Sequence, residues 1–340
     1  MTVETFTLAP GYVIPCIIRG GWQLAGDHGE VDRARAVDDM AAFVAAGVNT
    51  FDCADIYTGV EDLIGQYRLR DPSLQVHTKF VPDLQDLPRV DEAYVRRIIE
   101  RSRQRLNAPA LDLVQFHWWD YAVPGMTRVA QLLAQLKGEG SIRHLGGTNF
   151  DTPHTAALLD AGVPLVSMQV QYSLLDRRPS HTMAALCAQS ELRLLCYGTL
   201  AGGFLTEKWL GAPEPREIAN RSLTKYKLII DDFGGWAAFQ SLLQVLKRVG
   251  DRHGVPLSAV ATRWVLDQPQ VAAAIVGARY AAHLHEQLQV FGLRLDARDL
   301  DAIEALLAQS RGPQGDTYAL ERDREGPHGR IMKYNLNKVD

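Results

Sequence analysis

Three fragments of the chain carry side chains suited to moving a proton: FDCADIY with Asp52 and Tyr57, VHTKF with Lys79, and LDLVQFHWWD with His117. Asp52, Lys79 and His117 each close a short apolar run that reads as a buried parallel strand. A barrel of such strands directs those C-terminal ends into one mouth, where reacting groups are normally placed. A phenol, with an ordinary pKa of ~10, is a poor acid at neutral pH. A cation beside its oxygen favours the phenolate and lowers that value. Lys79 is placed to be that cation for Tyr57, Asp52 to hold the ammonium, and His117 to orient a carbonyl oxygen. General acid catalysis of this kind contributes roughly 10²–10⁴-fold. No side chain donates hydride, so a bound reductant has to supply it.

Taken singly, each residue has an ordinary structural reading. Asp52 and Lys79 would be an ion pair, His117 a packed aromatic beside tryptophans, and Asp55 a solvated or loop-bonding neighbour. Lys79 as a Schiff-base lysine in an aldolase-type barrel would need desolvation to lower its pKa, and Asp52 works against that. Four such residues on three consecutive strand ends favour the catalytic reading.

The elements that would position them alternate along almost the whole chain. Strand-like runs fall at 13–21, 49–54, 75–80, 112–118, 142–149, 165–172, 193–199 and 271–277. Between them lie segments with helical spacing, such as 31–47 and 91–107, where Val95, Ile98, Ile99 and Leu106 mark one face. Gly47 and Gly138 stand where C-terminal caps are expected. Eight strands alternating with helices predict an α/β fold, a (β/α)8 TIM barrel with its active site at the C-terminal mouth. Residues 1–310 are expected to form one catalytic domain. Residues 200–236 interrupt the rhythm as a long functional insertion at the mouth side. The polar tail 311–340 is either a disordered end or a lid, with His328, Met332, Lys333 and Tyr334 folding over the mouth or trailing into solvent.

Of 340 residues, 46% are hydrophobic and 22% charged, with a formal net charge of -4. That balance argues against a nucleic-acid footprint. No apolar run approaches the ~18 residues of a membrane span, and the first residues lack a secretory pattern. A cytoplasmic location is expected, with no membrane association and no indicated protein partner. Cys16, Cys53, Cys187 and Cys196 show no metal-like spacing and read as reduced, structural thiols. No metal is expected. GxGxxG is missing from the first strand–helix unit, so a Rossmann dinucleotide turn is not expected.

The motifs DCADIY, HTKF and DLVQFHWWD resemble those of the aldo-keto reductase superfamily, in its order and over residues 10–300. The resemblance implies a tetrad of Asp52, Tyr57, Lys79 and His117, with Tyr57 as the acid. It implies that the chain reduces aldehydes or ketones with NAD(P)H, or oxidises the corresponding alcohol or sugar, acting on a small-molecule substrate. By the same resemblance Gly21 and Trp22 border the nicotinamide, and Thr148 and Asn149 contact it. A glutamine on the sixth strand, Gln169 or Gln171 with the spacing favouring Gln169, holds its carboxamide. Tyr197 stacks on its ring, while Gly198, Leu200 and Gly203 let backbone approach the pyrophosphate. Lys208 and Arg221 are similar to phosphate contacts in the branch related to potassium-channel β subunits, or else are surface charge. Gly277, Arg279, His283 and Gln287 fall where the family cradles the adenosine 2′-phosphate, though the glycine, histidine and glutamine depart from its usual residues. NADP(H) is therefore the first expectation and NAD(H) the second. Trp22, Trp118 and Trp119, with Tyr121, would wall the substrate. A nicotinamide-binding sensor with slow turnover, like the channel subunits, is the alternative from a different class.

Overall fold

The computed structural model describes residues 2–25, 31–218, 220–278 and 280–337. Ten strands are present among them. The hairpin β1 (Thr5–Ala9) and β2 (Tyr12–Pro15) stands apart from a closed parallel barrel. The barrel comprises β3 (Ile17–Gly20), β4 (Thr50–Asp52), β5 (Gln75–Phe80), β6 (Leu111–Phe116), β7 (Ile142–Thr148), β8 (Leu165–Gln171), β9 (Arg193–Tyr197) and β10 (Val271–Gly277). They pair in sequence order, and β10 closes the ring between β9 and β3. The eight-stranded barrel is therefore the one the alternation predicts. The run 13–21 is not a single strand, because Cys16 separates β2 from β3. A turn at Pro10–Gly11, with Gly11 at φ +72°, folds β1 onto β2. Leu8, Ala9, Tyr12 and Ile14 then join Ile18, Leu113, Leu195 and Ala273 in a second apolar cluster at the barrel interior.

The helices follow their caps. Asp32 accepts a bond from the Arg35 N–H to start Arg33–Ala45, and Asp91 does the same with Tyr94 to start Glu92–Arg105. The face marked by Val95, Ile98 and Ile99 packs inward as its spacing predicts. Gly47 carries the left-handed conformation expected after a helix. Gly138 does not: it lies in the last turn of Met126–Gly138, and Gly140, at φ +84°, makes the reversal.

The insertion after β9 contains the helix Arg221–Phe233, capped by Asn220, which then turns at Gly234 into Gly235–His253. The described part of the tail, 311–337, runs across the mouth, with Tyr318, Ile331 and Leu336 at the cavity. Thr152 donates to Asp316, Glu321 inserts against Arg178, and His328 Nε2 lies 2.8 Å from Asp232. Its last described turn is held by Asp83, which accepts bonds from the N–H groups of Leu336 and Asn337. No helix among the described residues is long and apolar enough to cross a membrane.

Candidate active site

A cavity of about 510 Å³ opens at the C-terminal end of the barrel and is lined by Asp52, Tyr57, Lys79 and His117. Asp52 closes β4, Lys79 lies one residue before the end of β5, and His117 follows β6 directly. Tyr57 comes from the loop after β4, where its N–H donates to the Ala54 carbonyl in a tight turn. The Lys79 ammonium donates to Asp52 Oδ2 and to the Cys53 carbonyl, both at 2.7 Å. It also stands 5.2 Å from the centre of the Tyr57 ring. Asp52 and Lys79 are both almost wholly buried.

The electrostatics qualify the sequence expectation. Burial raises the Tyr57 phenol above its ordinary value; Lys79 pulls it down but does not prevail. Tyr57 is thus kept as a phenol, the form an acid needs. Burial also works against the Lys79 ammonium, yet Asp52 and Tyr57 outweigh it and hold the group charged. His117 is driven down to about 3 by burial and by the Arg322 guanidinium. Its Nδ1 is 2.9 Å from the Thr148 carbonyl, which can only accept, so Nδ1 carries the proton of the neutral ring. Nε2 is then an acceptor, buried and without a partner among the described residues. Such a ring takes the O–H of an alcohol, and only its imidazolium form would donate to a carbonyl.

A cluster of amides lies below. Gln115 and Gln169 both donate from Nε2 to Asp52 Oδ1, at 3.0 and 2.6 Å, and Gln169 Nε2 also reaches Gln115 Oε1 at 2.9 Å. Gln169 lines the cavity; Gln171 instead donates to Asp176.

The residues expected around a nicotinamide divide by position. Trp22, Thr148, Asn149, Gln169, Tyr197, Gly198, Leu200, Gly203, Arg221 and Gly277 all line the cavity. Trp22 packs 4.8 Å from the Tyr57 ring and donates from Nε1 to Ser222, which ties it to the helix Arg221–Phe233. Tyr197 donates to Asn149 Oδ1, and Thr148 Oγ1 is buried without a partner among the described residues. Gly277 could take a side chain only if the Gln23 amide moved, because a Cβ there would sit 2.0 Å from it.

Other expected contacts stand elsewhere. Gly21 packs on β4, its N–H donating to the Asp52 carbonyl at 2.7 Å, and Gly20 faces the cavity instead. Lys208 is exposed and stacks over Trp209. His283 is exposed beside Glu286, and Gln287 is half-buried on the short helix Leu284–Leu288; neither lines the cavity. Arg279 lies outside the described residues.

The aromatic wall also needs correction. Trp118 is fully buried behind the strand end, its Nε1 donating to the Val123 carbonyl and its ring against Phe116. Successive side chains at a strand end alternate sides, so His117 faces the mouth and Trp118 turns away. Trp119 returns to the cavity, edge-on to His117 with ring centres 4.3 Å apart. Tyr121 is diverted into a stack with His154 and the Arg322 guanidinium. Asp55 is buried rather than solvated, accepting from the Val81 N–H, and burial with Glu61 nearby raises its pKa well above the usual carboxylate range.

Several cavity residues escaped the sequence reading. Gln23 adjoins Trp22, Lys225 and Tyr226 come from the insertion, and Tyr318 and Ile331 from the tail. The Lys225 ammonium stands 5.0 Å over the Tyr197 ring and 3.9 Å from Glu321. Arg322 donates to the carbonyls of Trp118, Trp119 and Asn149, clamping the ends of β6 and β7. Met332 and Lys333 line the cavity, Tyr334 packs edge-on to Trp119, and His328 is buried below them. No local pattern marked Lys225, Tyr226, Tyr318, Ile331 or Arg322, because partners far along the chain give them their positions; His328, Met332, Lys333 and Tyr334 are the tail residues already singled out in the sequence.

A parallel eight-stranded barrel with a tyrosine, a buried lysine–aspartate pair and a histidine at its C-terminal mouth defines a class of oxidoreductase. Residues 16–308 match the model of the aldo/keto reductase family, and the chain belongs to that family. Its members work with nicotinamide coenzymes. The chain is 26% identical to the aldo-keto reductase YhdN of Bacillus subtilis, covering 90% of this chain and 94% of that protein. It is 25% identical to an NADH-specific methylglyoxal reductase of Escherichia coli, over 82% of this chain and 90% of that one. It is 30% identical to flagellar radial spoke protein 5 of Chlamydomonas reinhardtii over 63% of this chain, and spans about half (49%) of that longer relative. Among solved structures it is similar to the glycerol dehydrogenase AKR11B4 of Gluconobacter oxydans, with a TM-score of 0.77 and 25% identity, covering 93% of this chain and 98% of that one.

Proposed function

We propose that the chain interconverts a small carbonyl compound and its alcohol with NAD(P)(H), using Tyr57 as the proton donor in reduction and the proton acceptor in oxidation. The observation that carries this reading is the Lys79–Asp52 pair buried beside the Tyr57 ring at the barrel mouth. Lys79 stabilises the phenolate left when Tyr57 gives up its proton, and Asp52 keeps that lysine charged and in place. His117, neutral and protonated at Nδ1, offers Nε2 to the hydroxyl of the alcohol. Trp22, Trp119, Tyr318 and Ile331 exclude water around the reacting carbon.

The coenzyme, when bound, supplies or takes the hydride. Free polar groups fit it: Thr148 Oγ1 is buried without a partner, and the Gln169 Oε1 accepts no bond among the described residues. Tyr197 would face its ring, and the backbone at Gly198–Gly203 its pyrophosphate. NADP(H) is the first reading of the coenzyme and NAD(H) the second, the latter supported by the NADH-specific relative. A small polar substrate is supported by the names of two relatives, a methylglyoxal reductase and a glycerol dehydrogenase. The tail from residue 311 acts as the lid of this pocket, and a cytoplasmic, membrane-free enzyme is the setting in which we place it.

The test is a tryptophan-fluorescence titration with NADPH and with NADH, run beside Tyr57→Phe. Quenching in both proteins, with carbonyl reduction lost only in the variant, is the expected result. Absence of quenching by either dinucleotide, or full activity in Tyr57→Phe, would sink the reading.

A further inference from the structure

We propose that Lys225 is a modification site, at which small aldehydes entering the cavity condense to an imine and so block the pocket. That aldehydes are the compounds that enter rests on the proposed function. Lys225 lies on the helix Arg221–Phe233 and lines the cavity together with Tyr197, Tyr226 and Tyr318.

The setting of this amine differs from that of Lys79 in the same wall. An ammonium has three protons to donate. Lys79 places its hydrogen bonds at 2.7 Å, on Asp52 and on the Cys53 carbonyl. Lys225 has, among the described residues, one long hydrogen bond to the Tyr197 hydroxyl at 3.4 Å. Its nearest carboxylate, Glu321, stands beyond hydrogen-bond reach at 3.9 Å. The rings of Tyr197, Tyr226 and Tyr318 surround it at 5.0, 5.8 and 5.8 Å. Ring faces attract a cation, but they return only part of what hydrogen-bonded water supplies. Burial therefore works against the charged form. Glu321 opposes that effect, Arg178 adds to it and Asp176 opposes it again; the balance lowers the Lys225 pKa, whereas that of Lys79 is raised.

At rest the ammonium is the partner of Glu321. The imine draws on the neutral fraction, which is larger here than on an exposed lysine. The side chain keeps 15% of its surface accessible, so a small carbonyl compound in the cavity can reach it. Desolvation with a second cation near is how a lysine becomes a nucleophile toward carbonyls. The nitrogen lone pair attacks the carbonyl carbon, both protons of the amine leave with the carbonyl oxygen as water, and a C=N bond replaces C=O. No oxidant or reductant is needed, and water reverses the step. The adduct holds the carbon chain of the aldehyde among the three tyrosines, inside the proposed reaction volume.

The test treats the protein, without added dinucleotide, with propanal and cyanoborohydride at neutral pH. Cyanoborohydride reduces an imine to a stable secondary amine, and peptide mass mapping follows each lysine with time. Lys225 should be alkylated several-fold faster than the exposed Lys208, and Lys79 slowest of the three. Carbonyl reduction should decline in step with the Lys225 label, while Lys225→Gln keeps its own starting activity under the same treatment. Labelling of Lys225 no faster than Lys208 overturns the proposal, as does a labelled protein that reduces carbonyls undiminished. The mapping uses the wild type, so it decides even if the variant does not fold. A protein that labels at Lys225 but neither binds a nicotinamide coenzyme nor turns over loses the proposed function and keeps this site.

Discussion

Arg178 presents Nη1 and Nη2 to the two carboxylate oxygens of Glu321 at 3.0 and 3.2 Å, while its Nε and Nη2 reach Asp176 at 2.9 and 2.7 Å. All three side chains are buried. Arg178 lies just beyond β8 and Glu321 in the tail, so one planar fork joins barrel and tail. Burial pushes the Glu321 carboxyl up, but Arg178 and Lys225 more than compensate and hold it at about 2. The tail is therefore fastened by charge at its middle, by Arg322 next to it, and by Asp83 near its last described residues.

Glu321→Gln leaves a buried guanidinium short of one counter-charge. Breaking a buried pair by removing one partner costs about 3 kcal/mol or more. Urea unfolding should register that loss. Trypsin should cut the tail of the variant, at Arg322 or Arg324, many times faster than that of the wild type. Because Tyr318 packs 5.7 Å from His117, turnover should fall as well. Tail cleavage at the wild-type rate would mean that the fork does not hold the tail in place.

Lys79→Met removes the group that opposes the burial of Tyr57. The phenol pKa then rises further, because burial and the Asp52 charge act on it with no cation opposing them. Carbonyl reduction should drop by roughly 10²–10⁴-fold, the range for a general acid that has lost its tuning. Alcohol oxidation, which needs the phenolate, should suffer more. The pH profile of reduction checks the cause, since its alkaline limb should move to higher pH in the variant. A limb that stays in place would assign it to another group.

Trp118 and Trp119 should separate by assay although they are neighbours. Trp118→Ala empties a fully buried site and should cost about 3–5 kcal/mol of stability. Trp119→Ala takes a wall from the cavity, and should change KM several-fold with a smaller loss of stability. Steady-state kinetics and urea midpoints on the two variants are sufficient. A KM effect confined to Trp118 would reverse the assignment made from the strand alternation.

What the sequence disclosed followed from local rules. Asp52, Lys79 and His117 were legible because strand ends in a parallel barrel share one mouth, and Tyr57 because its loop is short. The buried strands were legible from unbroken apolar runs. The hairpin was not, since Val13 to Gly21 is apolar across two strands that meet only at Cys16. Lys225, Tyr318 and Arg322 lie in polar, aperiodic stretches, and their places come from Tyr197, His117 and the carbonyls of Trp118 and Trp119, which are distant in sequence. Trp118 was misplaced because a wall of aromatics was inferred from composition without counting which side of the strand end each faces. Gln115 sat in view within LVQFH, but its meaning depends on Asp52 and Gln169 meeting it inside the barrel.

Stability should fall as pH drops from about 6.5 towards 4.5, and buried histidines give the sign. His117 and His77 are both lowered to about 3, chiefly by burial, with cationic neighbours Arg322 for the first and Lys79 for the second. An unfolded histidine takes its proton near ~6.5. Between that value and about 3 the unfolded chain binds protons that the folded chain refuses, so stability rises with pH and is lost on acidification. Each ring contributes on the order of 5 kcal/mol if the full shift is expressed. Glu321, held at about 2, adds a loss in the same direction at lower pH. Asp55 and Glu61 act the other way: burial raises both, so they favour the folded chain as pH falls through their folded values. The two histidines are expected to take the larger part between pH 6.5 and 4.5, against the opposing carboxyl pair. Urea midpoints at pH 7, 5.5 and 4.5 measure the balance, and a midpoint that holds or rises on acidification would give the larger part to the carboxyl pair. Since His117 stays neutral throughout that window, kcat/KM should show no histidine limb near pH 6.5 as long as the protein remains folded.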